Sequence, residues 1–564
     1  MAVNKMDWQR NIIIAAILAV LFTLAIRWNT FQEQHSAAAP ESIPTVTSPV
    51  VATKVSDKPD AISLPIDAER TLSTVVVPKT LINIKTDSLW VDIDPVGGDI
   101  VKVALPRHSA DINTPEIPFI LIDNTSDHTY VAQSGLVGVN GTDTAEGRPT
   151  YSAEKTQYTL ESNEQTLVVN LKLQQHQVNI TKRYIFTRGE YLVAVEYLID
   201  NQSSNKWTGN FYAQIKRDSK EFAKANAMSM SPFLGVAIMT PEEKYKKVTF
   251  SNLNETNDYK LTTEGTWGDG WQGGWVAMVQ HYFISAWIPN PETTNKYNLR
   301  KLGDKNLYSF GFTSKAIEIA PNSQSTIKAS FYAGPKDTDR LKAISPNLEL
   351  TVDYGWLWMV GEPLFWLLKF IHGFVGNWGI AIIGLTFSVK LLFFKLSATS
   401  YKSMAKMRKL TPKMAELKER YGDDRQKMSQ ETMKLYQTEK VNPLGGCLPM
   451  LIQMPVFLAL YWVLMESVEL RHAPFVLWIA DLSIKDPYFV LPIIYGITMW
   501  FMQKLNPQPT DPMQARVMQM LPIVFTFMFL WFPAGLVLYW VTNNTLSMLQ
   551  QYIITKQIEN TDSK

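Results

Sequence analysis

Lys390 lies inside Trp378–Leu396, a stretch otherwise built of Ile, Leu, Phe, Val and small residues and long enough to cross a bilayer at about 20 residues per span. A charge at that depth costs roughly 2.5–3.5 kcal/mol on insertion scales, so it rarely faces lipid tails. It requires a polar cavity, a counter-charge or a reach to the headgroups. Glu466 and Glu469 are the carboxylates of the apolar cores that follow, and they lie near the far end of another span. An ammonium with no fixed partner at its own depth points to a wet pocket that receives something. The alternative is a lysine whose stem snorkels towards Ser397.

Other polar side chains sort with it. Thr386 and Lys390 are four residues apart and share a helix face. Gln453 sits inside a neighbouring span, and Thr542, Asn543, Asn544 and Ser547 follow Tyr539 and Trp540 in the last one. Each alone reads as an interhelical hydrogen bond. Together, on the cytoplasmic halves of their spans, they describe one hydrophilic recess and no continuous pore. Catalytic chemistry has no comparable signature. The seven histidines show no ligand spacing, so neither metal nor cofactor is expected. The single cysteine, Cys447, excludes a disulfide framework. A formal net charge of +2 gives no reason to expect direct nucleic-acid binding.

The elements that must position these residues follow from composition. Asn11–Ile26 is apolar behind Lys5 and Arg10, and Arg27 and Trp28 close it as interfacial anchors. Residues 1–28 therefore read as an uncleaved signal anchor, because the small residues at Ala37–Ala39 stand too far beyond the apolar run for cleavage. Residues 29–60, with Pro40, Pro44, Pro49 and Pro59, form a tether unable to bury a core. Over 61–345 the period becomes two. Leu167, Val169, Leu171 and Leu173 alternate with polar partners, as do Tyr191, Val193, Val195, Tyr197 and Ile199, and Arg188-Gly189-Glu190 reads as a hairpin turn. The expectation is a large antiparallel β-sandwich outside the membrane. Trp267–Trp275, with Asp269 and then His281, has the residues of a sugar site but reads better as a glycine-rich turn.

Residues 346–377 carry Trp356, Trp358 and Trp366, and Pro363 is positioned to start an amphipathic helix lying in the interface. Five spans are expected within 378–554, at 378–396, 448–468, 488–504, 518–532 and 535–554. The last two share an apolar block of 37 residues that Phe532-Pro533-Ala534-Gly535 interrupts. Residues 395–440 hold twelve Lys/Arg against six Asp/Glu, which makes this loop cytoplasmic. It reads as a helical hairpin over 397–440 that turns at Gly422, with Met404, Met407, Met414, Met428 and Met433 as a soft apolar stripe. Residues 555–564 are a short cytoplasmic tail. The count is six spans with both termini inside.

Several motifs carry a family resemblance. They are Ser403-Met404-Ala405-Lys406-Met407, Lys440-Val441-Asn442-Pro443-Leu444-Gly445-Gly446-Cys447, Gln453-Met454-Pro455, Asp511-Pro512-Met513, Phe532–Tyr539, and Trp275–Tyr282 in the sandwich. In this order they resemble the YidC family of membrane protein insertases, relatives of the mitochondrial and chloroplast insertases, in its Gram-negative form. The resemblance implies a galactose-mutarotase-like super-sandwich in the periplasm and a five-span helical insertase core in the inner membrane. It implies a hydrophilic groove open to cytoplasm and lipid that takes nascent membrane proteins and releases them sideways, and cooperation with the Sec translocon. The cytoplasmic loops would be open to a ribosome or targeting receptor. Two departures matter. The groove cation of the family is usually arginine and is Lys390 here, which keeps the charge and loses the fork. A tyrosine expected after Tyr539 is Trp540.

The implied activity is insertion and chaperoning without covalent chemistry, through Lys390, Thr386, Gln453, Tyr539, Trp540, Asn543 and Asn544. A transporter with a midplane site would show paired repeats, and none relates 378–468 to 488–554. An anchored sugar-binding or mutarotase-like protein would leave the charged groove and the basic hairpin without a role.

Overall fold

The computed structural model describes residues 80–220, 232–255, 270–303, 306–422, 424–439, 441, 448–506 and 512–562. The expected anchor 1–28, the tether 29–60, Trp267–Asp269, Asn442–Gly446, Cys447 and the end of the tail lie outside the described residues.

Alternation of apolar and polar side chains builds the first part of the chain. Val178–Thr187 pairs antiparallel with Leu192–Asn201, and the connection uses Gly189 at φ +77, a region open to glycine at no steric cost. Tyr191, Val193, Val195, Tyr197 and Ile199 all turn into the core. The described residues contain an 11-stranded and a 9-stranded sheet. Buried polar ties join the two: Tyr130 Oη lies 2.6 Å from Ser285 Oγ, and Trp287 Nε1 donates to the Gln214 carbonyl at 3.1 Å. The sandwich is not wholly antiparallel. Ile82–Lys85 pairs parallel with Gln157–Thr159, because the long excursion between them supplies the crossover that a parallel pair needs.

Past the sandwich the chain becomes helical. Asp337 accepts from the Asp339 and Arg340 amides and caps α1 (Thr338–Ile344). Helix α2 (Trp358–Val375) buries Gly361, Phe365 and Leu368 while exposing Trp358, Met359, Trp366, Phe370 and Phe374. It begins before Pro363 rather than at it. Pro363 is its sixth residue and lacks the N–H that would have bonded the Met359 carbonyl one turn earlier.

Helix α3 (Trp378–Leu392) is capped by Asn377, which accepts from the Ile380 amide. It breaks at Phe393, short of the expected 396, and α4 (Phe394–Lys409) leaves at 70°. A tertiary contact lies beside the break: Gln550 Nε2 donates to the Phe394 carbonyl at 3.2 Å. The expected first half of the hairpin is therefore two helices. Helix α4 packs into the bundle, where Tyr401, Met404 and Ile554 form a small core. Only α5 (Thr411–Tyr421) and α6 (Arg425–Thr438) make the hairpin proper.

The remaining helices are α7 (Leu448–Glu466), α8 (Val490–Leu505), α9 (Pro512–Phe529) and α10 (Ala534–Asp562). Helix α10 runs through most of the expected tail 555–564, since no breaker follows Thr555. Between α9 and α10 the chain turns at Pro533, where the Ala534 amide donates to the Ile484 carbonyl at 2.7 Å and the Gly535 amide to that of Leu482 at 2.9 Å. Among the described residues no single helix is long and apolar enough to cross a membrane; α3 and α4 reach that composition only as a bent pair.

Candidate functional site

Lys390, near the end of α3, is 7% exposed. Its Nζ donates to Ser547 Oγ on α10 at 2.6 Å, and among the described residues it pairs with no carboxylate. The Tyr401 hydroxyl on α4 lies beside Ser547. Thr386 is buried on the same face, but its hydroxyl donates to the Ile382 carbonyl of its own helix at 2.7 Å.

Gln453 on α7 reaches the same wall of α10, where its Nε2 donates to Asn543 Oδ1 at 3.1 Å. Asn544 is buried one residue on. Lys390, Gln453, Asn543 and Ser547 are thus joined through one stretch of α10, and Gln551 farther along ties that helix to the Leu505 carbonyl of α8 at 3.3 Å. Thr386 shares their burial but none of their bonds.

Tyr539 and Trp540 form the apolar side. Tyr539 is almost fully buried. The Trp540 ring lies 4.8 Å from Phe457, 6.0 Å from Tyr495 and 6.1 Å from Phe529, and its Nε1 finds no acceptor among the described residues. Tyr401 and Tyr495 were absent from the expected set. Tyr401 lies beyond a bend that no glycine or proline announces, and Tyr495 is one aromatic among many in an apolar run.

The methionine stripe is divided. Met404 is buried beside Tyr401, whereas Met407 and Met428 are half-buried and Gly422 is exposed at the hairpin tip. The hairpin closes on itself through Tyr436 Oη to Met414 Sδ at 3.4 Å and Lys413 to Glu439 at 2.7 Å.

A second charged cluster joins sandwich to helices. Lys336 pairs with Glu466 at 2.5 Å, both nearly inaccessible. His281 Nε2 bonds the Met465 carbonyl at 2.7 Å, which occupies it at the junction. Arg471 donates to the Ser109 carbonyl at 2.7 Å and lies over the Phe119 and Phe283 rings. Burial pushes the His281 imidazole down to about 4 and the Glu469 carboxyl up to about 7. Among the described residues no three His, Cys, Asp or Glu side chains converge as a metal site would require.

Comparison with known proteins agrees with this division. A family profile for the YidC periplasmic domain matches residues 81–367, and one for the 60Kd inner membrane protein matches residues 370–561. A membrane protein insertase YidC from Cellvibrio japonicus is 62% identical over 99% of this chain and 100% of its own length. That of Saccharophagus degradans is 53% identical over 98% and 100%. A solved YidC insertase with its first transmembrane domain resolved covers 84% of this chain and 92% of its own, at 17% identity and a TM-score of 0.37.

Proposed function

We infer how the recess works from one premise: the chain belongs to the YidC family of membrane protein insertases. It is an inner membrane protein with a periplasmic sandwich, and it inserts membrane proteins. In our reading, a nascent hydrophobic segment enters the recess from the cytoplasm, and the short polar or acidic region leading it pairs transiently with Lys390. The observation that carries this is a buried ammonium held by a hydroxyl, Ser547 Oγ, and by no carboxylate among the described residues. A cation already neutralised by a fixed partner would have little to offer a client.

Helix length supports the same reading. Helix α3 has 15 residues and α8 has 16, about 22 and 24 Å at 1.5 Å per residue, against a hydrocarbon core of roughly 30 Å. Short helices thin the bilayer around them, so the translocated region crosses less hydrocarbon. The membrane potential adds about 2.3 kcal/mol per negative charge per 100 mV. The segment then leaves into lipid past Trp540 and Tyr539. No bond is made or broken. The basic excess of loop 395–440 supports a cytoplasmic loop; with six spans both termini are then cytoplasmic, the hairpin α5–α6 faces a ribosome or targeting receptor, and the bundle works beside the Sec translocon.

The test is photocrosslinking from residues 386, 453, 543 and 540 to stalled nascent chains of a single-span client. Adducts that appear as the apolar segment emerges and vanish once it is released support the reading. Their absence at every position, with adducts from the sandwich instead, would move the activity out of the bundle.

A further inference from the structure

Ser547 is 3% exposed, and its hydroxyl both donates and accepts. It donates to the Asn543 carbonyl one turn earlier at 2.7 Å and accepts from Lys390 Nζ at 2.6 Å. The Tyr401 hydroxyl lies beside the same group. A serine hydroxyl has one proton and two lone pairs. Donation along its own helix fixes the proton and leaves a lone pair for Lys390 on α3, with Tyr401 of α4 alongside. These two residues stand on opposite sides of the 70° bend at Phe393. Asn543, whose carbonyl holds the serine, accepts from Gln453 of α7 through its side chain. The poses of three helices thus converge on one turn of α10.

An ammonium has three N–H donors. Ser547 takes one, and no other acceptor among the described residues takes a second. Resting on the insertase reading above, we propose that Ser547 is the positioning residue of the recess. It holds the Lys390 ammonium by one N–H at its working depth and leaves the other two for a carboxylate or carbonyl of the entering segment. A lysine stem has many rotamers and a short path towards the headgroups. Without the serine it would snorkel, and the recess would lose its charge although the chain keeps it. Ordering the side chain in advance lowers the cost of client capture, the general benefit of preorganisation.

The experiment uses the full chain and one single-span client carrying zero, one or two acidic residues ahead of its helix, read as protease-protected insertion at matched protein levels. Ser547→Ala should lower insertion of the two-acid client by about fivefold relative to the neutral one, the size of one lost hydrogen bond. Ser547→Thr, which keeps the hydroxyl, should retain the charge dependence of the wild type. In the Lys390→Ala background, Ser547→Ala should add no further loss for the acidic client, because both changes remove one coupled interaction. An equal loss across all three clients would reduce Ser547 to a packing residue, and additive losses in the double variant would mean it acts apart from Lys390; either result overturns the proposal. If Lys390→Ala alone leaves the charge dependence intact, the recess reading itself falls, an outcome visible before any serine variant is compared.

Discussion

Glu466 and Lys336 lie 2.5 Å apart with both side chains nearly inaccessible, tying the last turn of α7 to the segment that leaves the sandwich. Lys390 is the opposite case: a cation almost as deeply buried, with a hydroxyl where Lys336 has a carboxylate. Removing charge from water is costly, and a close counter-ion offsets it. At the junction that offset is internal and permanent. At Lys390 no carboxylate among the described residues supplies it, and under the proposed function an incoming segment would.

The junction pair should show the asymmetry of buried ion pairs. Lys336→Met or Glu466→Gln alone should destabilise the chain by about 3–5 kcal/mol, because each leaves an uncompensated buried group. Lys336→Met combined with Glu466→Leu should recover much of that loss. Denaturant unfolding of the purified full chain, followed by tryptophan fluorescence, measures all three. Additive losses in the double variant would show that the two residues act independently.

Stability near the junction should respond to pH in two opposed ways. Burial, with Lys336 and Arg471 nearby and against the pull of the Met465 carbonyl, lowers His281 from 6.5 to about 4. Between those values the unfolded chain binds a proton that the folded one lacks, so stability falls as pH falls. Burial raises Glu469 from 4.5 to about 7, with Asp337 and Asp339 adding and Lys369 opposing. There the folded chain holds the extra proton, so that stability is present below 4.5 and is lost as pH rises through about 7. Removing one contribution should expose the other. Relative to wild type, Glu469→Gln should shift the Tm difference between pH 7 and pH 5 in favour of pH 7, and His281→Gln should shift it towards pH 5. Shifts of the same sign would refute the assignment.

Substitution of the recess charge should be graded by client. Lys390→Arg should be tolerated, since charge and reach remain. Lys390→Ala should impair clients with acidic translocated regions, and Lys390→Glu should impair them more, because like charges repel strongly in a poorly screened recess. Equal insertion of neutral and acidic clients by wild type and Lys390→Ala would make the residue a snorkelling anchor.

The division of the loop by α4 sharpens an expectation about domains. Replacing 411–438 with a flexible linker should abolish or severely weaken insertion while leaving the recess assembled, because α4 packs on α10 through Tyr401 and Met404. Deleting much of 61–320 should leave insertion largely intact, since that deletion spares Lys336. The reverse pattern in an insertion assay would place the activity in the sandwich.

How far the chain could be read depended on whether a feature was local. The strand 192–201 was legible because a period of two turns every second residue inward. Gln453 and Asn543 could be grouped with Lys390 because polar residues in apolar spans are few enough to stand out. The bend at Phe393 left no mark, since no proline or glycine stands there and the contact beside it comes from Gln550. The partnership of Lys336 with Glu466 joins residues 130 apart, and Glu466 in isolation looked only like the end of a span. Thr386 shows the limit of face-sharing: it lies on the expected side, but its hydroxyl is spent on its own helix.

The turn at Pro533 has a mechanical consequence. The first amides of α10 are held by the carbonyls of Leu482 and Ile484, and a side chain at Gly535 would already crowd the Leu482 oxygen at 3.2 Å. That end of the helix is pinned to a segment of backbone. Ser547 lies about 20 Å along from the pin at 1.5 Å per residue, so a tilt of only about 5° carries it nearly 2 Å. Any tilt of α10 about that pin would therefore be felt most at the side chains that meet Lys390 and Gln453, and least at the turn itself.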